Sequence, residues 1–282
     1  MPDFSLPFDI DDALAIAREA NALALSMHGT AHVEVKRDST LVTDADRAVE
    51  RLLRAKLGDL APRWSFLGEE TGLTGDPDAP SWVIDPIDGT TNFARGIPTW
   101  CISIGAVSAG EPVFGILCVP ELDEIYWAAR GQGAWRIKDG QTRHVKVSDS
   151  LPLTQEDPIA GNTTVERILD FGDVPNRLRN FGSLAYHLVL LAQGCLVANI
   201  AHYHKLYDVA AGLCLCFEAG CEVRYITGAP WKAVVSTHSE TTPLLCAPPQ
   251  TLQYLLEHLH LKVIPEVSAE EEATRGIEPE ND

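Results

Sequence analysis

The stretch WVIDPIDGTTNF, residues 82–93, sets two aspartates, Asp85 and Asp88, three positions apart behind an apolar run. Carboxylates this close cannot neutralise each other, so the chemistry they suit is that of a hard cation. Pro86 fixes its own φ and removes one amide donor, which gives the turn a shape of its own. The carbonyl of Ile87 lies between the two acids, so three oxygen ligands can face one spot, a set that suits Mg²⁺ with waters and a substrate phosphate completing the shell. Gly89 permits close backbone approach, and the Gly89 and Thr90 amides are placed to cradle a phosphate. Asp-Pro and Asp-Gly are also ordinary turn chemistry, so the four residues DPID alone leave both readings open.

Three further acidic segments extend the pattern. FLGEE carries Glu69 and Glu70, TDAD carries Asp46, and YDVAAG carries Asp208 at the start of an apolar helix. Taken singly, each of these reads equally as a helix cap or a solvated acid.

The elements that must position these groups follow from periodicity. Residues 9–28 place apolar side chains at helical spacing behind Asp9, Asp11 and Asp12, and Thr43 caps a second helix that reaches Gly58, with Asp46 in its first turn. VEVK reads as a strand and RDST as a loop. WSFLGEE and SWVI read as strands that both end in carboxylates, separated by the loop TGLTGDPDAP. From Trp100 to Val147 strands and Gly or Pro turns alternate as in an antiparallel meander. After about residue 150 helices and strands alternate, which favours an α/β layer with partly parallel strands. This divides the chain into an N-terminal α+β half, 1–147, holding most of the acids, a C-terminal α/β half, 148–265, supplying Asp208 and a substrate pocket, and an acidic tail, 266–282, read as disordered.

Composition bounds the partners. Forty acidic against 22 basic residues give a formal net charge of -18, which excludes non-specific binding to nucleic acid or anionic membrane and leaves a small molecule as the expected partner. The uncharged run 183–201 is interrupted by Gln193-Gly194 and reads as a helix plus a strand in the core. The N-terminus has no signal-peptide pattern, and seven cysteines without a CxxC pair fit reduced, mostly buried thiols, so a cytoplasmic location is expected. Cys214 and Cys216, two apart on a helix, do not converge on one metal.

The acidic segments, in this order, resemble the inositol monophosphatase family of metal-dependent phosphatases. WVIDPIDGTTNF matches the family's long motif and YDVAAGLCLCFEAG its C-terminal signature, with Tyr207 where tryptophan is usual. The resemblance implies a mixed α+β / α/β fold, a layered α-β-α-β-α sandwich of the inositol monophosphatase and fructose-1,6-bisphosphatase type. It implies that Glu69, Asp85 and the Ile87 carbonyl bind one Mg²⁺, that Asp85, Asp88 and Asp208 bind a second, and that a third ion in some members again involves Glu69. Asp46 and Thr90 would orient and activate the attacking water, and Asp88, Gly89 and Thr90 would meet the phosphate. A threonine hydroxyl that donates to a carboxylate keeps a lone pair for the water's proton, a relay that needs no histidine.

The same resemblance implies a homodimer, lithium inhibition, and hydrolysis of a small polyol or sugar phosphate. The segment that would choose the substrate departs from inositol phosphatases: Ala201 stands where they carry a glutamate, followed by His202, His204 and Lys205 in a positively inclined segment. His202 and His204 would share one face of a strand. Ser183 with Leu184, and Lys36 before Asp46, complete the candidate pocket. The alternatives are a histidinol-phosphate phosphatase or fructose-1,6-bisphosphatase of the same family, or a metal-binding regulatory protein without turnover.

Overall fold

The structure, a computed structural model, describes residues 5–35, 41–175 and 177–262; Lys36 and the acidic tail lie outside them. The N-terminal helices are α1 (Ile10–Met27) and α2 (Asp44–Leu60), joined through the short strands β1 (Val33–Val35) and β2 (Leu41–Thr43). Next come β3 (Ser65–Gly68), β4 (Gly72–Thr74), β5 (Ser81–Asp88) and the helix α3 (Thr90–Arg95). The meander runs β6 (Cys101–Ser108), β7 (Glu111–Val119), β8 (Glu124–Ala129), β9 (Ala134–Lys138) and β10 (Gln141–Val145). The second half holds β11 (Pro158–Gly161), α4 (Val165–Ile168), β12 (Leu169–Asp170), β13 (Arg177–Arg179), α5 (Leu184–Ala192) and β14 (Ala198–Ala201). It closes with α6 (Leu206–Ala219), β15 (Glu222–Tyr225), β16 (Leu244–Ala247), α7 (Pro249–His258) and β17 (His260–Leu261).

Among the described residues the strands form an eight-stranded sheet, β10-β9-β8-β7-β6-β5-β3-β4, and a five-stranded sheet, β13-β11-β14-β16-β15. The first is antiparallel except for β3 beside β5, and the second is parallel only from β13 through β14. Alternation along the strands builds the layers. In β5, Trp82 and Ile84 pack with α1 and α2, whereas Val83 faces α5 and α6. In β16, Leu244 and Cys246 face the α5–α6 layer, and Leu245 and Ala247 face α7. The order across the molecule is therefore α-β-α-β-α, with α5 and α6 between the two sheets.

That middle layer sits unusually close to the large sheet. Gly105 and Gly115 are opposite each other in the β6–β7 ladder, and a Cβ on either would come within 3.0 Å of α6, at Ala210 and Ala211. Gly212 gives α5 the same approach, since a Cβ there would meet Leu188.

Three local expectations change. The strand read as SWVI continues through Asp88, because Pro86 cannot donate to the ladder and a bulge absorbs it. The loop read as TGLTGDPDAP contains β4, hidden in a glycine-rich turn that folds back on β3. The short strands β13 and β16 were also not resolved by pattern, the first for its charge and the second because four continuously apolar residues lack any alternation.

Candidate active site

Residues three apart on a regular strand point to opposite faces. In β5, Asp85 pairs with Ser103 and Asp88 with Cys101, so three steps on one strand oppose two on the other. The extra residue of the bulge brings both carboxylates to one face. It is the α6 face: Ser103 Oγ donates to the Tyr207 carbonyl at 3.2 Å, one residue before Asp208. The glycine trough under α6 thus brings Asp208 from the second half to the two aspartates of the first.

Each acid has one oxygen held by local donors. Asp85 Oδ1 accepts from Ile87 N at 3.0 Å, Asp208 Oδ2 from Lys205 N at 2.7 Å, and Asp88 Oδ2 from Ser183 Oγ at 2.7 Å and Ala185 N at 2.5 Å. Asp46 Oδ2 closes a capping box with Thr43, accepting from its amide at 2.7 Å and its hydroxyl at 2.6 Å. Thr90 Oγ1 lies 3.1 Å from the Ile87 carbonyl and 3.4 Å from Asp46 Oδ1, so its nearer acceptor is the carbonyl rather than Asp46.

Burial and then the charges of Glu69, Asp88 and Asp208 push Asp85 well above the usual carboxylate range. Burial, with Asp88 next, raises Asp208 likewise. Asp88 is raised by burial to about 6 against the donors Ser183 and Ala185, and Asp46 by burial to about 6 against Thr43. Asp46, Glu69 and Glu70 bring ligand oxygens within 4.8 Å of one another, a group that could hold a metal ion. An all-oxygen set of mutually repelling buried and half-buried carboxylates fits a hard divalent cation, which relieves the repulsion.

A pH dependence follows. In the metal-free protein Asp46 and Asp88, at about 6, bind protons that the unfolded chain, with carboxylates at 3.8, has already lost. Between those values stability therefore falls as pH rises, and a divalent cation must displace the same protons. Calorimetric titration is expected to show affinity falling about tenfold or more per pH unit below pH 6 and levelling above it. His187 and His204, each lowered by burial to about 4, oppose this trend with and without cation alike, so the difference between the two conditions isolates the carboxylates.

Glu50 is a positioning residue that the sequence reading missed. One turn beyond Asp46 on α2, it is buried and accepts from Glu70 N at 2.8 Å and Thr71 N at 2.9 Å, fixing the turn that carries Glu69. A Cβ on Gly68 would fall 2.5 Å from its carboxylate. Glu50→Gln leaves one of those amides without an acceptor, and the metal concentration for half-maximal activity is expected to rise about 10–100-fold, checked by cation titration of the rate. Asn92 was missed too: its Nδ2 donates to the Thr99 carbonyl and the Phe181 carbonyl, both at 2.6 Å, tying α3 to the segment before Ser183.

The candidate pocket residues take varied places. Ser183 caps α5 and holds Asp88, and Leu184 is half-buried against the central core. Ala201 is buried at the end of β14, opposite Leu244. His202 and His204 do not share a strand face, because β14 ends at Ala201 and Tyr203 has φ 59. His202 meets Thr164 Oγ1 at 2.7 Å, whereas His204 bridges Glu240 and lines a cavity of about 200 Å³ with Leu206, Trp231, Lys232 and His238. Burial lowers the pKa of both histidines, so the segment is not positively inclined through them; its cation is Lys205, which sits 5.5 Å over the Tyr207 ring.

The five-layer fold and its carboxylate centre place the molecule among layered phosphatases, and comparison with known proteins agrees. The profile of the inositol monophosphatase family matches residues 9–263. The histidinol-phosphatase of Mycobacterium tuberculosis is 36% identical over 231 residues, 78% of this chain and 88% of that one. Inositol monophosphatase 1 of Solanum lycopersicum is 34% identical over 246 residues, 82% and 89% of the two chains. Among solved structures, the extragenic suppressor protein suhB of Bartonella henselae superposes with a TM-score of 0.75 at 25% identity, covering 88% of this chain and 97% of that one. The chain belongs to the inositol monophosphatase family. It is a phosphoric monoester hydrolase, as its relatives are.

Proposed function

We propose that the protein hydrolyses a small polyol or sugar phosphate with Mg²⁺ as its metal. The observation that carries this reading is the convergence of Asp85, Asp88 and Asp208, whose burial and charges, with the charge of Glu69 beside them, hold Asp85 and Asp208 above the usual carboxylate range. Glu69, Asp85 and the Ile87 carbonyl would hold one ion, Asp85, Asp88 and Asp208 a second, with room for a third beside Asp46, Glu69 and Glu70. When bound, the ions supply Lewis-acid stabilisation of the phosphoryl charge and a more acidic water. Thr90 Oγ1 orients that water by accepting its hydrogen and turns its own from the Ile87 carbonyl to Asp46 Oδ1, 3.4 Å away. Asp46, the carboxylate within reach of that hydroxyl, receives the proton as the base. The water oxygen forms the new P–O bond, the ester P–O bond breaks and the departing oxygen takes a proton from solvent to leave as the alcohol, while Asp88, Gly89 and Thr90 keep the phosphate in line.

A second reading, a phosphate ester of an amino alcohol such as histidinol phosphate, is favoured by the 36% identity to a histidinol-phosphatase and by Ala201 in place of an acid. Phosphate release from inositol 1-phosphate, histidinol phosphate, fructose 1,6-bisphosphate and adenosine 3′,5′-bisphosphate, with and without Mg²⁺, separates the readings by kcat/KM. Release is expected only with Mg²⁺, and inactivity on all four esters would favour a metal-binding regulatory protein. The family resemblance also supports a homodimer, which sedimentation tests, and the seven free cysteines support a reducing, cytoplasmic setting.

A further inference from the structure

Three cysteines from separate elements meet where α6 ends. Cys216 lies in the last turns of α6, Cys221 follows the Gly220 cap, and Cys246 sits in β16. Gly220, at φ 109, reverses the chain so that Cys221 N–H donates to the Cys216 carbonyl at 2.8 Å. Cys246 pairs with Val223, two residues beyond Cys221, and belongs to the face of β16 that meets the helix layer. The three sulfur atoms lie within 4.8 Å of one another, and the residues are only 0%, 5% and 1% exposed.

Apolar filling accounts for a buried cysteine but makes no demand that thiols touch. Here a helix end, a reversed turn and the middle of a strand each deliver one. A metal–sulfur bond of about 2.3 Å puts the sulfurs of a trigonal site about 4 Å apart, inside the 4.8 Å that bounds these three. Among the described residues no fourth cysteine, histidine or carboxylate joins the group, whereas structural zinc sites are almost always four-coordinate. Thiolates select soft ions, and Cu(I), which does not share zinc's demand for four ligands, suits three sulfurs.

We propose that Cys216, Cys221 and Cys246 form a binding site for one Cu(I) ion, separate from the carboxylate centre. Each thiol that becomes a ligand forms an S–Cu bond and releases its proton to solvent, and copper stays in the +1 state throughout. Asp208 and Cys216 are on the same helix, about 12 Å apart along its axis. Ligand softness keeps the two sites chemically distinct, since oxygen ligands take Mg²⁺ and thiolates do not.

The test is an anaerobic titration of the reduced, Mg²⁺-loaded protein with Cu(I) against a chromophoric Cu(I) chelator. The expected result is one copper per chain, retained in excess Mg²⁺, with X-ray absorption giving three sulfur neighbours at about 2.3 Å. Cys246→Ser is expected to weaken binding at least about tenfold, and Cys195→Ser, at an exposed thiol, to leave it unchanged. The proposal is overturned if the parent protein takes up no copper or carries a disulfide within the trio, if Mg²⁺ displaces the copper, if oxygen or nitrogen surrounds it, or if Cys246→Ser binds as the parent does. The absorption measurement needs no variant, so misfolding of Cys246→Ser cannot hide the answer, and none of these outcomes depends on phosphatase activity.

Discussion

Asp85→Asn is expected to lower kcat/KM at least about 1,000-fold, or about 4 kcal/mol, while raising the thermal midpoint of the metal-free protein. The two effects come from one cause. Asp85 lies at the centre of the repulsion, raised by burial and by Glu69, Asp88 and Asp208 together. The amide keeps an oxygen for Ile87 N, so the local turn persists, but it removes a buried ionisable group and, on the proposed function, a ligand shared by two ions. Thermal unfolding with and without Mg²⁺ checks the prediction: the variant should gain stability without the ion and gain little from adding it. A metal-free midpoint that drops, alongside retained activity, would mean that Asp85 serves the fold and not the cation.

Gly115→Ala, remote from the carboxylates, is expected to destabilise the protein by about 2–3 kcal/mol and to reduce activity about 100-fold. A Cβ at this position would lie 2.5 Å from the Ala211 carbonyl oxygen, which belongs to helix backbone and cannot rotate away. The helix α6 must lift, and Asp208 lifts with it. Denaturant unfolding measures the first effect and phosphate release the second. If activity survives while stability falls, the close approach of α6 serves packing alone.

Much of this arrangement is legible in the sequence because it is carried by short, chemically explicit segments. The acids are recognisable one by one, and Thr43 announces both the start of α2 and the place of Asp46, since the capping box is a local rule. The five layers came from the family resemblance and the register from none of the patterns: nothing local says that β5 runs past Pro86 with a bulge, or that Gly105 and Gly115 lie opposite each other. Glu50 stayed hidden for a related reason. A glutamate on an amphipathic helix reads as solvated, and only the fold brings the 70–71 amides over it. His202 and His204 misled because alternation suggests a strand where the left-handed Tyr203 ends one. The three thiols are likewise a product of topology, 30 residues apart from first to last.

The bulge in β5 also governs how this stretch can change over time. Because Asp85 and Asp88 share a face only through one extra residue, straightening the bulge while the acids stay three apart would turn one carboxylate toward α1 and α2, into a packed apolar layer. The stretch can drift letter by letter, each substitution altering the strength of the site. Its spacing and its bulge can change only together, because a one-residue change in either alone sends the two carboxylates to opposite faces.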